Sequence, residues 1–201
     1  MNEETRVMPR YIKLKLNEAF KFKCVRCDMC CGTGPNVSLT GYDVVRMAKF
    51  LRMGWKSFLK AYVNVIVADI FVFMSIKGEH GKCPFLHYKP SGETLCIVYP
   101  ARPLRCRLYP LVIESVKPEH VYLDSFCPGV GKGGDMRPPE KLVKHYAWEL
   151  KNHYAALAKL VLEEGLEPLQ ALERHIEALW SEAGKNPDWA NLDYIESLGA
   201  T

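Results

Sequence analysis

The sequence has little of what marks a membrane-spanning or secreted protein. Its best apolar run, from Val63 to Met74, is interrupted by Asn64 and Asp69 and is shorter than the roughly 20 residues that a membrane span requires. The opening residues, 1–6, lack the basic-then-apolar pattern of a signal peptide. We therefore expect a cytoplasmic protein without a membrane partner.

A strong charge of either sign is also missing. The 201 residues contain 27 lysines and arginines and 23 acidic residues, which give a formal net charge of +4. So mild a basic excess does not indicate a nucleic-acid partner. The chain has neither a P-loop nor a dinucleotide-binding fingerprint, and no Ser-His-Asp set or pair of carboxylates stands out. Nothing in the sequence identifies a catalytic residue.

The composition is that of an ordinary globular protein. With 48% hydrophobic and 25% charged residues, the chain can bury a core without depending on metal for its fold. We predict an α+β fold, in which a small cysteine-rich mixed core precedes a helical segment. The predicted organisation is a metal-binding domain over residues 1–134, followed by a helical C-terminal extension, residues 135–201, packed on it.

Cysteine is the residue type that carries the chemistry. Four of the eight cysteines fall within the eight residues from Cys24 to Cys31. In the cytoplasm, thiols are used for metal sites more often than for disulfides, and two-residue spacers let successive sulfurs converge on one centre. We predict that all eight cysteines are metal ligands. They are Cys24, Cys27, Cys30, Cys31, Cys83, Cys96, Cys106 and Cys127.

The spacing leaves the metal open between iron and zinc. Cys24, Cys27 and Cys30 have the C-x2-C-x2-C spacing of bacterial ferredoxins, in which the fourth cysteine precedes a proline. Cys83 and Cys127 each precede a proline here. Eight thiols suit one four-iron cluster (4Fe-4S) with a second site, or two zinc ions with four ligands each. The iron–sulfur cluster is the favoured cofactor and zinc is the alternative.

The remaining local patterns place these cysteines on a mixed fold. Thr40, with Asp43 three residues later, predicts the capped start of a helix, and turns around Pro90 predict a hairpin that joins Cys83 to Cys96. The apolar patterns further predict a strand within residues 65–77 and helices over 138–164 and 168–183. Residues 32–35 are predicted to form a loop that wraps the metal. We expect His145, His153 and His175 to lie at the surface of the C-terminal helices.

The glycines after Cys127 are a second candidate site. Gly129, Gly131 and Gly133 lie in a predicted flexible loop between a strand and a helix, where backbone N–H groups can hold the carboxylate or phosphate of a cofactor. We name these three glycines as candidate cofactor-binding residues. A plain linker at the internal boundary is the alternative interpretation.

Taken together, the motifs resemble a known family. Cys24-x2-Cys27-x2-Cys30-Cys31, Cys83-Pro-Phe-Leu, Cys96-Ile-Val-Tyr-Pro-Ala-Arg-Pro-Leu-Arg-Cys106 and Cys127-Pro-Gly are similar to the CxxCxxCC cysteine-cluster family, a zinc- or iron-chelating domain. The resemblance covers about residues 20–134 and every cysteine, but not the C-terminal helices. The family is related to flagellin lysine N-methylases, which implies S-adenosylmethionine as a cofactor and protein lysine as a substrate.

Two functions follow as hypotheses. The first is an iron–sulfur protein that supports redox chemistry or S-adenosylmethionine-dependent lysine methylation, with a redox partner or a protein substrate. Radical enzymes that use S-adenosylmethionine have a C-x3-C-x2-C motif, whereas this chain has a shorter first spacer and the additional Cys31. The second hypothesis is a structural zinc-binding adaptor without catalytic activity.

Overall fold

The computed structural model describes residues 9–32 and 37–199 and has the predicted α+β fold. The loop predicted over 32–35 falls mostly on residues 33–36, outside the described residues. The strands of the described part are β1 (Tyr11–Lys15), β2 (Phe20–Phe22), β3 (Ser38–Leu39), β4 (Val63–Ala68), β5 (Phe71–Ile76), β6 (Leu86–Tyr88), β7 (Thr94–Cys96), β8 (Leu111–Val112), β9 (His120–Asp124) and β10 (Val130–Met136). The α-helices are α1 (Met29–Gly32), α2 (Gly41–Phe50), α3 (Trp55–Tyr62), α4 (Leu104–Leu108), α5 (Glu140–Leu162), α6 (Pro168–Glu182) and α7 (Leu192–Ser197).

The strands form small antiparallel sheets. Within the described residues the strand orders are β1-β9-β8, β10-β2, β3-β5-β4 and β6-β7. The short strands leave the helices to cover the sheets and to make most of the core. No helix among residues 9–32 and 37–199 is both long and apolar enough to cross a bilayer.

Helix α2 lies at the centre of the molecule. The predicted capping box is present: Thr40 Oγ1 accepts a hydrogen bond from the Asp43 backbone N–H at 3.3 Å, and the Asp43 carboxylate accepts one from the Thr40 N–H at 3.0 Å. The residues from Gly41 to Ala48 are all buried. Neighbouring elements therefore cover the first two turns of α2 on every side, including its charged residues Asp43 and Arg46.

The strand predicted within residues 65–77 is confirmed as β5, but the interpretation of this segment as one strand is wrong, because the residues before Asp69 form a second strand and make a hairpin with it. Strands β4 and β5 pair antiparallel, with Val63 opposite Ile76 and Ala68 opposite Phe71. The chain reverses at Asp69, whose φ of 55° lies in the left-handed region. Aspartate tolerates that conformation better than most residues. The turn therefore needs no glycine or proline to mark it.

The flexible loop predicted at residues 129–134 is also wrong, because β10 occupies most of this segment. It pairs with β2 irregularly: Val130 lies opposite Phe22, and the register then shifts before Asp135. A Cβ atom at Gly129 would stand 2.5 Å from the carbonyl oxygen of Lys23. Glycine is needed there because the two backbones approach too closely for a side chain.

The hydrophobic core has two parts that share helix α5. One part packs α2, α3 and β5 against α6 and includes Leu157 of α5. The other packs β1, β8 and β9 against α4 and α7 and includes Leu142 and Tyr146 of α5. Both parts combine residues from before and after position 134, so the C-terminal helices are packed on the preceding residues.

The surface positions predicted for His153 and His175 are wrong. The two residues are only 1% and 8% exposed, and their rings stand 5.1 Å apart. His153 Nδ1 accepts a hydrogen bond from the Gly41 backbone N–H at 3.3 Å. Burial lowers the pKa of His153 to about 3 and that of His175 to about 4. Both rings are therefore neutral in the folded protein at pH 7. His145 is partly buried.

Candidate metal centre

Helix α1 explains how the adjacent cysteines of the sequence can share a site. Cys30 and Cys31 lie on this single helical turn, and their Sγ atoms are 3.6 Å apart. In an extended chain the two side chains would point to opposite sides. A hydrogen bond from Cys31 lowers the pKa of Cys30 to about 7, and donating it raises the pKa of Cys31. All eight cysteines are free thiols.

The predicted hairpin brings Cys83 and Cys96 together. Strands β6 and β7 place Leu86 opposite Cys96, and the Leu86 N–H donates to the Cys83 carbonyl at 3.1 Å. The Cys83 N–H in turn donates to the Cys31 carbonyl at 2.7 Å. This short bond fixes the hairpin to helix α1.

Cys106 of helix α4 completes a first set of four thiols. Burial raises the pKa of Cys106, and the negative charges of Cys83, Cys96, Asp43 and Cys30 raise it further. The charges of Cys83 and Cys106 likewise contribute to the raised pKa of Cys31, after its hydrogen bond to Cys30 and its burial. Such mutual influence requires proximity. We call Cys31, Cys83, Cys96 and Cys106 the hairpin group.

The other four thiols gather around Cys127. Burial raises the pKa of Cys127, and the charges of Cys27, Cys30 and Cys24 add to the increase. The backbone makes this approach possible, since the Lys23 N–H donates to the Gly129 carbonyl at 3.1 Å. We call Cys24, Cys27, Cys30 and Cys127 the loop group. Cys30 is placed in it by the C-x2-C-x2-C spacing, since, after burial, the charge of Cys30 also raises the pKa of Cys83, Cys96 and Cys106. The two groups meet at the neighbouring Cys30 and Cys31.

The thiols are gathered, but they do not form a closed coordination shell. Among residues 9–32 and 37–199, no three His, Cys, Asp or Glu side chains are placed so as to hold a metal ion. The donor set itself suits zinc and iron, since both bind four thiolates. The residues present therefore fit such a metal in chemistry and grouping, and binding would have to draw the sulfurs closer together.

Three polar residues that the sequence did not single out hold the cysteine loop in place. Thr94 of β7 donates its hydroxyl to the carbonyls of Arg26, at 2.7 Å, and Cys27, at 3.2 Å. Tyr88 of β6 donates to the Asp28 carboxylate at 3.0 Å. The hairpin thus fixes the loop by side chains as well as by the backbone. Hydroxyl groups facing a cysteine loop across a hairpin are the only signal that could have identified them.

One arginine lies near enough to influence a cysteine. The positive charge of Arg102 counters the rise in the pKa of Cys96 that burial produces. Its guanidinium carbon lies 3.6 Å from the centre of the Tyr99 ring. Arg107, on the same segment, binds the Glu196 carboxylate and the Pro100 carbonyl instead. Arg102 therefore helps to balance the charge of the hairpin group.

The candidate glycines have a packing role in the structure. Gly129 and Gly133 lie against the backbone at Phe22 and Lys23, and Gly131 and Gly133 have φ values of 81° and 78°. These positions let β10 approach the strand that leads into Cys24. A role for Gly129, Gly131 and Gly133 in binding a cofactor stays a prediction.

The fold and its two thiol groups define a cysteine-cluster, metal-binding class of protein. A family model matches residues 23–128, and its family is CxxCxxCC, described as "Putative zinc- or iron-chelating domain". The match covers more than half of the chain, and the chain belongs to this family. All eight cysteines lie within the matched residues. The family supports metal binding and names zinc or iron as the metal.

Comparison with curated proteins gives a relative without an assigned function. An uncharacterized protein of Methanocaldococcus jannaschii is 32% identical over 111 residues, which are 51% of this chain and 56% of the relative. The chain thus spans about half the length of the curated relative that it matches. No solved structure matches the chain.

Proposed function

We propose that this protein binds iron–sulfur clusters of the [4Fe-4S] type, one on each group of four cysteines, and uses them in electron transfer. The observation that carries the proposal is the gathering of eight free thiols around the adjacent Cys30 and Cys31, with Cys83, Cys96 and Cys106 near them on one side and Cys127 with Cys24 and Cys27 on the other. Four thiolates are what one such cluster requires. The loop group joins a C-x2-C-x2-C motif to a distant cysteine that precedes a proline, as bacterial ferredoxins do.

The chain's own residues support a redox role over a closed structural one. Cys24 and Cys30 are exposed, as are Val25 and Phe126, which adjoin Cys24 and Cys127 in the sequence. A bound cluster would supply one-electron transfer at the edge of the molecule that these exposed residues form. The chain keeps the edge open to solvent, so that a redox partner can approach.

The adjacent cysteines offer a matched pair of variants for the test. On protein purified without oxygen, Cys127→Ser should lose about half of the iron, because it removes one of the four thiolates of one cluster. Adding Cys30→Ser to that variant should remove little more iron, whereas adding Cys31→Ser should remove the rest. Equal losses from the two double variants would contradict the division into groups.

Zinc is the second candidate, because two groups of four thiols also suit two structural zinc ions. That function predicts two zinc ions per chain, no visible colour and no change on exposure to air. Structural zinc sites in small domains contribute roughly 10–16 kcal/mol of apparent binding free energy. Zinc at both groups in protein isolated without oxygen would replace the iron–sulfur proposal with that of an adaptor.

Lysine methylation is the reaction that the family's relationship to flagellin lysine N-methylases implies. With four thiols assigned to each group, a bound cluster would have no iron open to S-adenosylmethionine. For this reason we place electron transfer before methyl transfer. Calorimetry on the metal-replete protein tests this preference. A clear heat of S-adenosylmethionine binding would place methyl transfer before electron transfer.

A further inference from the structure

A buried ion network connects the C-terminal helices to the part of the chain that carries the cysteines. Arg46 of α2 is 3% exposed, and both its partners, Asp43 and Glu149, are 0% exposed. Arg46 Nη2 lies 2.7 Å from Asp43 Oδ1 and 2.9 Å from Glu149 Oε2, and Nη1 donates to Glu149 and, at 2.9 Å, to the Trp189 carbonyl. Charges buried this deeply are costly, so each depends on its partners.

Glu149 has further partners on both sides of the network. Thr40 Oγ1 lies 3.4 Å from Glu149 Oε2, and His145 Nε2 lies 3.2 Å from Glu149 Oε1. Burial disfavours the charged form of Glu149, whereas the Arg46 guanidinium favours it, and the pKa of the Glu149 carboxyl is lowered overall. Glu149 is therefore an anion that holds the Arg46 guanidinium in one orientation.

The network ends at the helix that bears Cys106. Asp43 Oδ1, the atom bound by Arg46, also accepts a hydrogen bond from the Leu104 backbone N–H at 3.1 Å. Leu104 is the first residue of α4, and the preceding Pro103 makes no side-chain capping bond. Asp43 thus caps α4 from another helix and fixes the position of Cys106, two residues further on.

We propose that Glu149 is a positioning residue for the metal centre at the hairpin group. It acts through Arg46 and Asp43 on the start of α4, and so on Cys106. Glu149 lies outside the matched residues 23–128, so the C-terminal segment completes the support of a site whose ligands all lie before it. The inference rests on the proposed function only in requiring that the hairpin group binds metal.

A second contact reaches α4 from the same segment. Arg107, one residue after Cys106, binds the Glu196 carboxylate of α7. The Glu196 side chain is 63% exposed, so its replacement carries little risk to folding. It provides a milder variant that acts on the same helix.

Cobalt titration of the reduced, full-length chain tests the proposal, because Co²⁺ bound to thiolates absorbs visible light and can report each site. We expect Glu149→Gln to weaken one of two Co²⁺ sites by about 10- to 100-fold, the usual effect of removing a residue that supports a ligand. The other site should keep its affinity. Cys106→Ser should weaken the same site, and combining it with Glu149→Gln should add little.

The matched control is Glu177→Gln. Glu177 of α6 accepts a hydrogen bond from Trp55 Nε1 at 2.8 Å, so it too links the C-terminal segment to the preceding part, but it does not reach α4. This variant should leave both Co²⁺ affinities unchanged. An equal loss in Glu177→Gln and Glu149→Gln would reduce Glu149 to a general structural role and overturn the proposal.

Circular dichroism and the urea unfolding midpoint establish that each variant is folded. If Glu149→Gln fails to fold, Glu149→Asp decides the question, because it keeps the buried charge but moves the carboxylate back by one methylene. Wild-type affinity at both sites in that variant would overturn the proposal. Wild-type affinity at both sites in a folded Glu149→Gln would do the same. Glu196→Gln should weaken the same Co²⁺ site to a smaller extent. Failure of the wild-type chain to bind Co²⁺, together with the absence of iron from protein purified without oxygen, would instead defeat the proposed function, and this inference with it.

Discussion

At the scale of single residues, the buried pair His153 and His175 makes stability depend on pH. An unfolded histidine has a pKa of about 6.5, whereas burial lowers the folded values to about 3 and about 4. Between pH 7 and pH 5 the unfolded chain therefore takes up protons that the folded chain does not. The free energy of unfolding should fall by about 2 kcal/mol for each histidine over this interval.

The test compares urea unfolding of the wild type and His175→Leu at both pH values. Nε2 of His175 is buried and has no hydrogen-bond partner among residues 9–32 and 37–199, so the leucine breaks no bond described there. The variant should lose about 2 kcal/mol less than the wild type between pH 7 and pH 5. Contributions that both proteins share cancel in this difference. The same loss in both would show that His175 is not held neutral.

Gly129 gives a second prediction at this scale. Replacing it by alanine would place a Cβ 2.5 Å from the Lys23 carbonyl oxygen and 2.8 Å from the Phe22 ring. The strands must then separate, and we expect a loss of about 1–3 kcal/mol in the free energy of unfolding. Gly134→Ala is the control, because no atom of the described residues lies within 4 Å of its Cβ position. Equal urea midpoints for the two variants would contradict the close approach.

At the scale of elements, β4 is an exposed edge strand. It lies at the end of the order β3-β5-β4, its central Ile66 is 59% exposed, and the strand contains no charged residue. Such an edge invites pairing with other chains. Ile66→Lys should reduce concentration-dependent aggregation, measured by light scattering, and change stability by less than about 0.5 kcal/mol. Val72→Lys, at a buried position of the neighbouring strand β5, should instead unfold the protein.

The elements that could be predicted from the sequence are those with local signals. The capping box at Thr40 and the spacing of apolar residues in α5 and α6 depend only on nearby residues, and both predictions are confirmed. The β4–β5 turn could not be predicted, because Asp69 adopts a left-handed conformation without a glycine or proline to mark it. Strand β10 could not be predicted either, since its glycines are explained only by a partner strand distant in sequence.

The candidate site likewise has a part that could be predicted from the sequence and a part that could not. The cysteines could be recognised from their spacing in the sequence. The hairpin that joins Cys83 to Cys96 could be predicted from the turn residues between them. The ion network could not be predicted, because Arg46 and Glu149 are 103 residues apart. In the sequence they resemble ordinary surface charges on two separate helices. Only the packing of α5 beside α2 shows that they are buried partners.

At the scale of the whole molecule, the two parts of the core predict that the C-terminal helices are indispensable. The core around α2 includes Leu172 and Ile176 of α6, and the core around α4 includes Val143 of α5. A chain ending at residue 134 would expose these contacts to water. We expect it to lack a cooperative urea transition and to be digested rapidly by protease. A cooperative transition at the wild-type midpoint would show that residues 1–134 fold independently.

The central claim, that the eight thiols hold iron–sulfur clusters, is tested most directly by one measurement. The full-length protein is purified without oxygen and analysed for iron, acid-labile sulfide and zinc, together with its visible absorption spectrum. The account predicts brown protein with iron and sulfide in equal amounts, and a broad sulfur-to-iron absorption that fades in air. Colourless protein that contains zinc alone, or no metal, would contradict it.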